Sequence, residues 1–513
     1  MGMQPQCLQL DSVLQTVSVL EAVIRRSFGP DGGQVLFTRD TGQTLLTRHG
    51  TRILAALRLE HPLARMVVEC VRRHSSGTGD GSKTFVLLLA ALLREIQKHT
   101  QKAHREGAGA KRLAEALLAF GLDKLSDVIT VGVAPHGSSL SDTHTPGQTD
   151  THTLWCLLSA FLHTRISPTH AEIISQLTCE LLSHWSCHGD FINEHFPALH
   201  TAVSGFPIGC SRLLEGQVIH ADFSSPLPLR NHGPIRALVV TEPLEPSLLI
   251  GGTVLELGGA NRGIESVCVR LGRGLDSVCV ILQHLGVSLL LSSVRQSESV
   301  LAAVGRYGVC VLECVCEDDL SLFSVLKDRG RPHSLVVCGL TEGQTEQSVC
   351  AVRDALHMLR TTWGPKHRTR ATERTARTDV MESCCVISVG GTFEFLLHHT
   401  LLQHTHANMA LLSVPRQIYS HNRRRYLEAH AHTLSCIRNH GNSPDPPETS
   451  AVLAVDGSMF ESGSGSGVES VSCKYQLILA VLQCLRSLLS VDTVIHANTS
   501  TLSHTCQREE DDD

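Results

Sequence analysis

Apolar positions in this chain first recur with helical spacing. Residues 7–30 read as a helix running into a Gly-Pro turn at Gly29-Pro30. The period then shortens. Residues 34–38 and 44–47 read as two short strands joined by a turn at 40–42. Pro62 suits the first position of a helix, along which Leu63, Met66, Val67, Cys70 and Val71 fall at i, i+3, i+4, i+7 and i+8, one buried face. Gly77, Gly79 and Gly81 interrupt the pattern. A helix over 82–98 follows, apolar nearly all round, which places it deep in a core.

A Ser/Thr/His loop over 137–153 leads to a helical stretch over 154–188. From about residue 213, β-like and α-like segments alternate, with strands expected at 237–241, 278–282, 288–292, 309–312 and 334–337, as in a small α/β domain. Residues 351–360 return to helix. The basic segment 366–377 reads as a loop insertion, and the Asn/Pro/Ser-rich segment 437–449 as flexible. Val471, Tyr475, Ile478, Leu482, Leu485 and Leu489 repeat at 4-3-4-3-4 for less than three heptads, which favours a core helix over a coiled coil. Glu509 to Asp513 form an acidic, solvated tail. The order helical, α/β, helical implies one domain inserted into another, with both chain ends closing a single outer domain.

Composition narrows the classes. With 42% apolar residues over 513, the chain can bury several cores. A net charge of −6, without a basic stripe interleaved with aromatics, argues against a nucleic-acid groove. Residues 1–10 lack the pattern of a signal peptide. The longest apolar run, 85–93, is too short to span a bilayer, so a cytosolic protein is expected. The 19 Cys show no C-x-x-C pair and sit largely in apolar segments, as buried small hydrophobes do in a reducing compartment. The 30 His are scattered rather than grouped as zinc ligands.

The most informative segment is Gly77-Thr78-Gly79-Asp80-Gly81-Ser82-Lys83-Thr84. A glycine loop opening a helix offers free backbone N–H groups and the positive end of the helix dipole, which suits phosphate. Asp80 adds a carboxylate able to hold Mg²⁺ between phosphate oxygens, and Ser82 and Thr84 can donate hydroxyl hydrogen bonds. A P-loop reading fails on context. Ser82 stands where the last glycine belongs, and the loop follows an amphipathic helix rather than a strand.

Several motifs in order resemble the group II chaperonin family along nearly the whole chain. Phe28-Gly29-Pro30 is similar to that family's Leu-Gly-Pro turn under the phosphates. Thr47-Arg48-His49-Gly50-Thr51-Arg52-Ile53-Leu54 is similar to its Thr-Asn-Asp-Gly-Ala-Thr-Ile-Leu, and Glu60-His61-Pro62 to its Glu-His-Pro. Gly79 to Thr84 follow at the family's distance. Leu213 to Val218 resemble the entrance to the apical domain. Arg353-Asp354-Ala355-Leu356 resembles His-Asp-Ala-Leu, whose Asp positions the attacking water. Gly390-Gly391 with Glu394 resembles the glycine turn facing the nucleotide, and Glu469, ahead of Lys474-Tyr475-Gln476, the ribose-contacting Glu.

The resemblance implies an α-rich α+β chaperonin fold. A helical equatorial domain would come from both chain ends (1–150 and 366–500), a small intermediate domain from 151–200 and 331–365, an inserted α/β apical domain from 201–330, and a tail from 501–513. It implies ATP and Mg²⁺ as cofactors, with Asp354 and Asp80 catalytic and Asp80 on the metal. Gly29, Pro30, Gly50, Asp80, Gly81, Ser82, Lys83, Thr84, Gly390, Gly391 and Glu469 would lie around the nucleotide. Within the family, the Gly-Asp-Gly-Ser-Lys-Thr-Phe run and the His/Cys-rich composition are similar to the Bardet-Biedl syndrome chaperonin-like proteins. That group implies an assembly chaperone in the cytoplasm at the cilium base. It would act with other chaperonin-like proteins and the cytosolic chaperonin on client subunits of the ciliary BBSome-type coat.

Three departures bear on activity. His49 replaces an Asp of the family, Lys83 a Thr and Asp31 a Lys. Lys83 can either contact phosphate or pair with Asp80, and loss of a carboxylate slows hydrolysis more than binding. The stretch between 242–246 and 278 is short beside the family's lid protrusion. An alternative on the same fold is a scaffold that has lost nucleotide binding.

Overall fold

The computed structural model describes residues 6–7, 9–38, 44–102, 108–140, 150–184, 189–224, 235–244, 274–326, 333–363, 384–402, 407–441, 467–491 and 493–494. In chain order the elements are β1 (Gln6–Cys7), α1 (Leu10–Arg25), β2 (Val35–Thr38), β3 (Thr44–Thr47), α2 (Gly50–Ala55), α3 (Pro62–Thr78) and α4 (Ser82–Lys102). Next come α5 (Ala108–Asp123), α6 (Leu125–Gly132), β4 (Ser138–Ser139), α7 (Thr151–His163), α8 (Pro168–His184), α9 (Gly189–Leu199), β5 (His200–Ser204), β6 (Arg212–Glu215) and β7 (Ala237–Val240). A helix over 274–284, α10, precedes β8 (Leu289–Ser292), α11 (Glu298–Arg306), β9 (Cys310–Leu312), α12 (Glu317–Leu326), β10 (His333–Gly339) and α13 (Glu342–Trp363). The chain closes with β11 (Cys385–Ser388), α14 (Thr392–Leu401), α15 (Ser413–Ile418), α16 (Arg423–Gly441), β12 (Val468–Ser470), α17 (Val471–Leu489) and β13 (Thr493–Val494).

These elements form two compact units. The first takes 1–193, 203–210 and 338–513, and the second 194–202 and 211–337. In the first, α4 is the central helix. Phe85, Val86, Leu89 and Leu93 are fully buried against Val13, Val17, Leu20 and Ile24 of α1 and Leu477, Val481 and Leu485 of α17. The chain ends meet in this unit, where β1 pairs antiparallel with β13. Caps fix the helix starts that matter for the site. His61 Nδ1 accepts from Leu63 N ahead of Pro62, and Ser470 Oγ accepts from Cys473 N at the start of α17.

The second unit holds a parallel sheet in the order β7-β8-β9. Side chains alternate across it. Leu290 and Val311 face a core with Leu282 of α10 and Val300 and Val304 of α11, while Leu291 and Leu312 face Leu320 of α12.

Two expectations change here. Residues 278–282 are helix, not strand. Leu275, Cys279 and Leu282 turn inward at helical spacing while Val280 and Ile281 are exposed. The strand expected at 334–337 lies outside the parallel sheet, because β10 pairs antiparallel with β6 in the order β5-β10-β6. Within 437–449, residues 437–441 are the end of α16. The rest of that segment, the insertion 366–377, the acidic tail and most of the shortened lid stretch lie outside the described residues. Among the described residues, no helix is long and apolar enough to cross a membrane.

Candidate functional site

The glycine loop joins the C-terminus of α3 to the N-terminus of α4, as the sequence implied. Gly79 ends α3 in the left-handed conformation (φ 69°), and a Cβ there would stand 1.9 Å from the Asp354 carbonyl oxygen of α13. Only glycine lets the loop and α13 approach this closely. Gly50 plays the same part at the start of α2, where a Cβ would meet Ser82 Oγ and Lys83 Cγ, each at 2.5 Å. The start of α17 joins the group, since Cys473 Sγ lies 3.9 Å from the Thr78 carbonyl and 3.8 Å from that of Met358.

Asp80 and Asp354 are brought together by a residue that the sequence reading missed. Arg165 follows α7 and its side chain is only 7% exposed. It donates from Nη2 to the Gly79 carbonyl at 2.7 Å and to Asp80 Oδ1 at 3.0 Å, and its Nε lies 3.9 Å from Asp354 Oδ2. The guanidinium stacks on Phe161, 3.5 Å from the ring centroid. One signal was available. Arg165 is the only Lys or Arg between residues 151 and 184, an isolated cation in an apolar helical stretch.

The same Asp354 oxygen also faces His49, whose Nε2 lies 2.7 Å from Oδ2. Burial holds the His49 ring below its usual range against the pull of Asp354, so it stands neutral at pH 7. Burial would raise the Asp80 carboxyl, but the Arg165 charge, the Gly81 N–H and Lys474 outweigh it and leave it below the usual carboxylate range. Of the two courses expected for Lys83, pairing with Asp80 is not the one it takes here. Its Nζ donates to the Ser27 carbonyl at 2.8 Å, and burial, with the charges of Arg165 and Arg48, pushes it down to about 7.

A second buried cluster stands at the start of α17. Lys474 Nζ bridges Glu394 Oε1 at 2.7 Å and Glu469 Oε2 at 3.0 Å. Burial opposes the Lys474 charge, but the two carboxylates hold its pKa above the usual range. Burial pushes Glu469 up to about 7 despite Lys474, with Glu394 adding to the rise. Glu469 Oε1 and Glu394 Oε2 are buried without hydrogen-bond partners. Asp80 feels both Lys474 and Glu469, so the two clusters share one electrostatic neighbourhood.

Gly390 and Gly391 (φ 95° and 87°) lead into α14, with Tyr419 Oη donating to the Gly390 carbonyl at 3.1 Å. Gly29 (φ 85°) makes the turn after α1, against the backbone of Ile418. Pro30 and Asp31 are exposed there, and Ser82 and Thr84 occupy the first turn of α4, Ser82 buried.

These residues suit a phosphate better than a metal. The first N–H groups of α4 and the unpartnered, buried Nε–H of Arg165 are donors. Among the described residues, no group of three or more His, Cys, Asp or Glu side chains converges as metal ligands. With Arg165 on Asp80 and His49 on Asp354, a divalent cation does not fit between the two carboxylates.

Residues 20–256 match the TCP-1/cpn60 chaperonin family. The chain is 30% identical over 418 residues to the BBSome complex assembly protein BBS10 of Mus musculus, covering 68% of this chain and 58% of that protein. The Homo sapiens BBS10 protein gives 30% over 416 residues, 68% and 57%. The chain thus spans less than three fifths of the length of these curated relatives. A crystal structure of a group III chaperonin in the open state superposes with a TM-score of 0.63 at 16% identity, covering 95% of this chain and 98% of that one.

Proposed function

We propose that this chain, a divergent chaperonin-like protein, is a nucleotide-binding assembly factor for a BBSome-type coat. The observation that carries the nucleotide reading is the glycine loop at the N-terminus of α4, lined by the uncommitted donor of Arg165. The loop N–H groups and Arg165 would take the phosphates, and the free Oε1 of Glu469 can accept from a ribose hydroxyl. The likeness to BBS10 supports BBSome-related clients; other chaperonin-like proteins and the cytosolic chaperonin as partners, and a place in the cytoplasm at the cilium base, are part of the proposal.

Hydrolysis would be slow. Asp354 is engaged by His49 and faces Arg165 rather than standing free to orient water. A titration with a fluorescent ATP analogue tests binding. A saturable signal, competed by unlabelled ATP and weakened in Glu469→Ala, supports the reading, and no saturable signal in the wild type sinks it. The engagement of both carboxylates within the protein, Asp80 by Arg165 and Asp354 by His49, favours a second reading, a scaffold of the same fold that needs no nucleotide. The same titration separates the two.

A further inference from the structure

Arg165 is built into the candidate phosphate site more firmly than a surface cation would be. Its backbone carbonyl accepts from Gln347 Nε2 at 2.9 Å, and its Nη1 donates to Thr164 Oγ1 at 3.0 Å and to the Phe161 carbonyl at 3.4 Å. With Nη2 committed to Gly79 and Asp80, the guanidinium is fixed in plane, and its one uncommitted donor is the buried Nε–H. A buried donor without an acceptor is unfavourable, so the geometry calls for an oxygen at this position.

We propose that Arg165 supplies the positive charge that a divalent cation would otherwise bring to this loop, and that a nucleoside polyphosphate binds there as the metal-free anion, with a phosphate oxygen accepting from Arg165 Nε–H. The inference rests on the nucleotide reading above. Three observations carry it. Asp80 already takes Arg165 at 3.0 Å, and a second cation placed on that carboxylate would be repelled by the first. His49 stands beside Asp354 and brings no negative charge, so Asp80 and Asp354 are the two carboxylates left for a divalent ion, and Asp80 is already taken by Arg165. A planar guanidinium with five fixed donors suits a phosphate and a carboxylate at once, which a lysine ammonium cannot match in geometry.

The test uses the full chain. ATP affinity is measured by calorimetry in Mg²⁺ and in EDTA, and Mn²⁺ binding by electron paramagnetic resonance without nucleotide. The variants are Arg165→Gln and Arg165→Gln combined with Asp80→Asn. Because Mg²⁺ in solution competes for the nucleotide, wild-type affinity is expected to be higher in EDTA than in Mg²⁺, and affinity in EDTA to fall about tenfold or more for Arg165→Gln. Arg165→Gln is expected to gain a Mn²⁺ site that the added Asp80→Asn removes. A wild type whose affinity is no higher in EDTA than in Mg²⁺ overturns the proposal. So does Mn²⁺ binding equally well to wild type and Arg165→Gln, or a folded Arg165→Gln that gains no Mn²⁺ site. If Arg165→Gln does not fold, the wild-type comparison in EDTA decides alone. Absence of ATP binding in both media would overturn metal-free binding and the nucleotide reading with it. The Mn²⁺ comparison would then still decide whether Arg165 occupies the metal's place.

Discussion

Lys83 shows how one side chain can be legible in kind and not in direction. Its place beside Asp80 is plain in the sequence, but its Nζ donates to the Ser27 carbonyl at the end of α1. Where a four-carbon stem points depends on what the neighbouring helix end leaves unpaired, and a sequence does not display that. Burial pushes Lys83 down from 10.5 to about 7. Between those values the unfolded chain binds the proton and the folded one does not, so stability rises with pH across that window. Lys83→Met should flatten the rise, read as urea midpoints at pH 7, 8.5 and 10. Glu469 has the opposite sign. Its pKa rises from 4.5 to about 7, the folded state holds the extra proton between them, and stability falls as pH climbs through that window. Glu469→Gln should remove this fall, leaving the variant's melting temperature flatter than that of the wild type from pH 4.5 to 7. Arg165 lay beyond sequence reasoning for a different reason. It reaches Asp80 across 85 residues of chain, and only its isolation in an apolar stretch marked it.

At the scale of elements, long uniform patterns were readable and short ones were not. The nine apolar residues of α4 admit one reading, a helix buried all round, and they form the core of the first unit. The five apolar-rich residues at 278–282 admit two, because a short apolar run does not separate strand from helix without its flanks. Phe85, fully buried in α4, tests the first point: Phe85→Ala should cost about 3–5 kcal/mol of unfolding free energy, measured in denaturant. The junction of α3, the loop and α13 depends on backbone instead. Gly79→Ala forces a left-handed alanine and sets its Cβ against the Asp354 carbonyl, so it should destabilise by about 2 kcal/mol or more and weaken nucleotide binding. A variant as stable as the wild type would mean that α13 can withdraw from the loop.

For the whole molecule, the inserted organisation was legible because the helical pattern resumes late in the chain, and β1 pairing with β13 is its structural counterpart. The crossings between units were less so. They fall at 193/194, 202/203, 210/211 and 337/338, within or beside short elements whose composition does not change there. The two units have separate cores, and the two tryptophans among the described residues, Trp155 and Trp363, both belong to the first. Fluorescence of a Trp185→Phe variant, from Trp155 and Trp363, therefore follows the first unit alone, whereas far-ultraviolet circular dichroism follows both. The residues assigned to the nucleotide site all belong to the first unit, so a nucleotide held by them acts on that unit. At a hundredfold excess over Kd it should stabilise that unit by about 2.7 kcal/mol. ATP should then shift the fluorescence-detected melt upward while a separate component of the dichroism melt stays in place. If the two probes coincide with and without ATP, the units unfold as one, and the insertion shares in whatever the site binds.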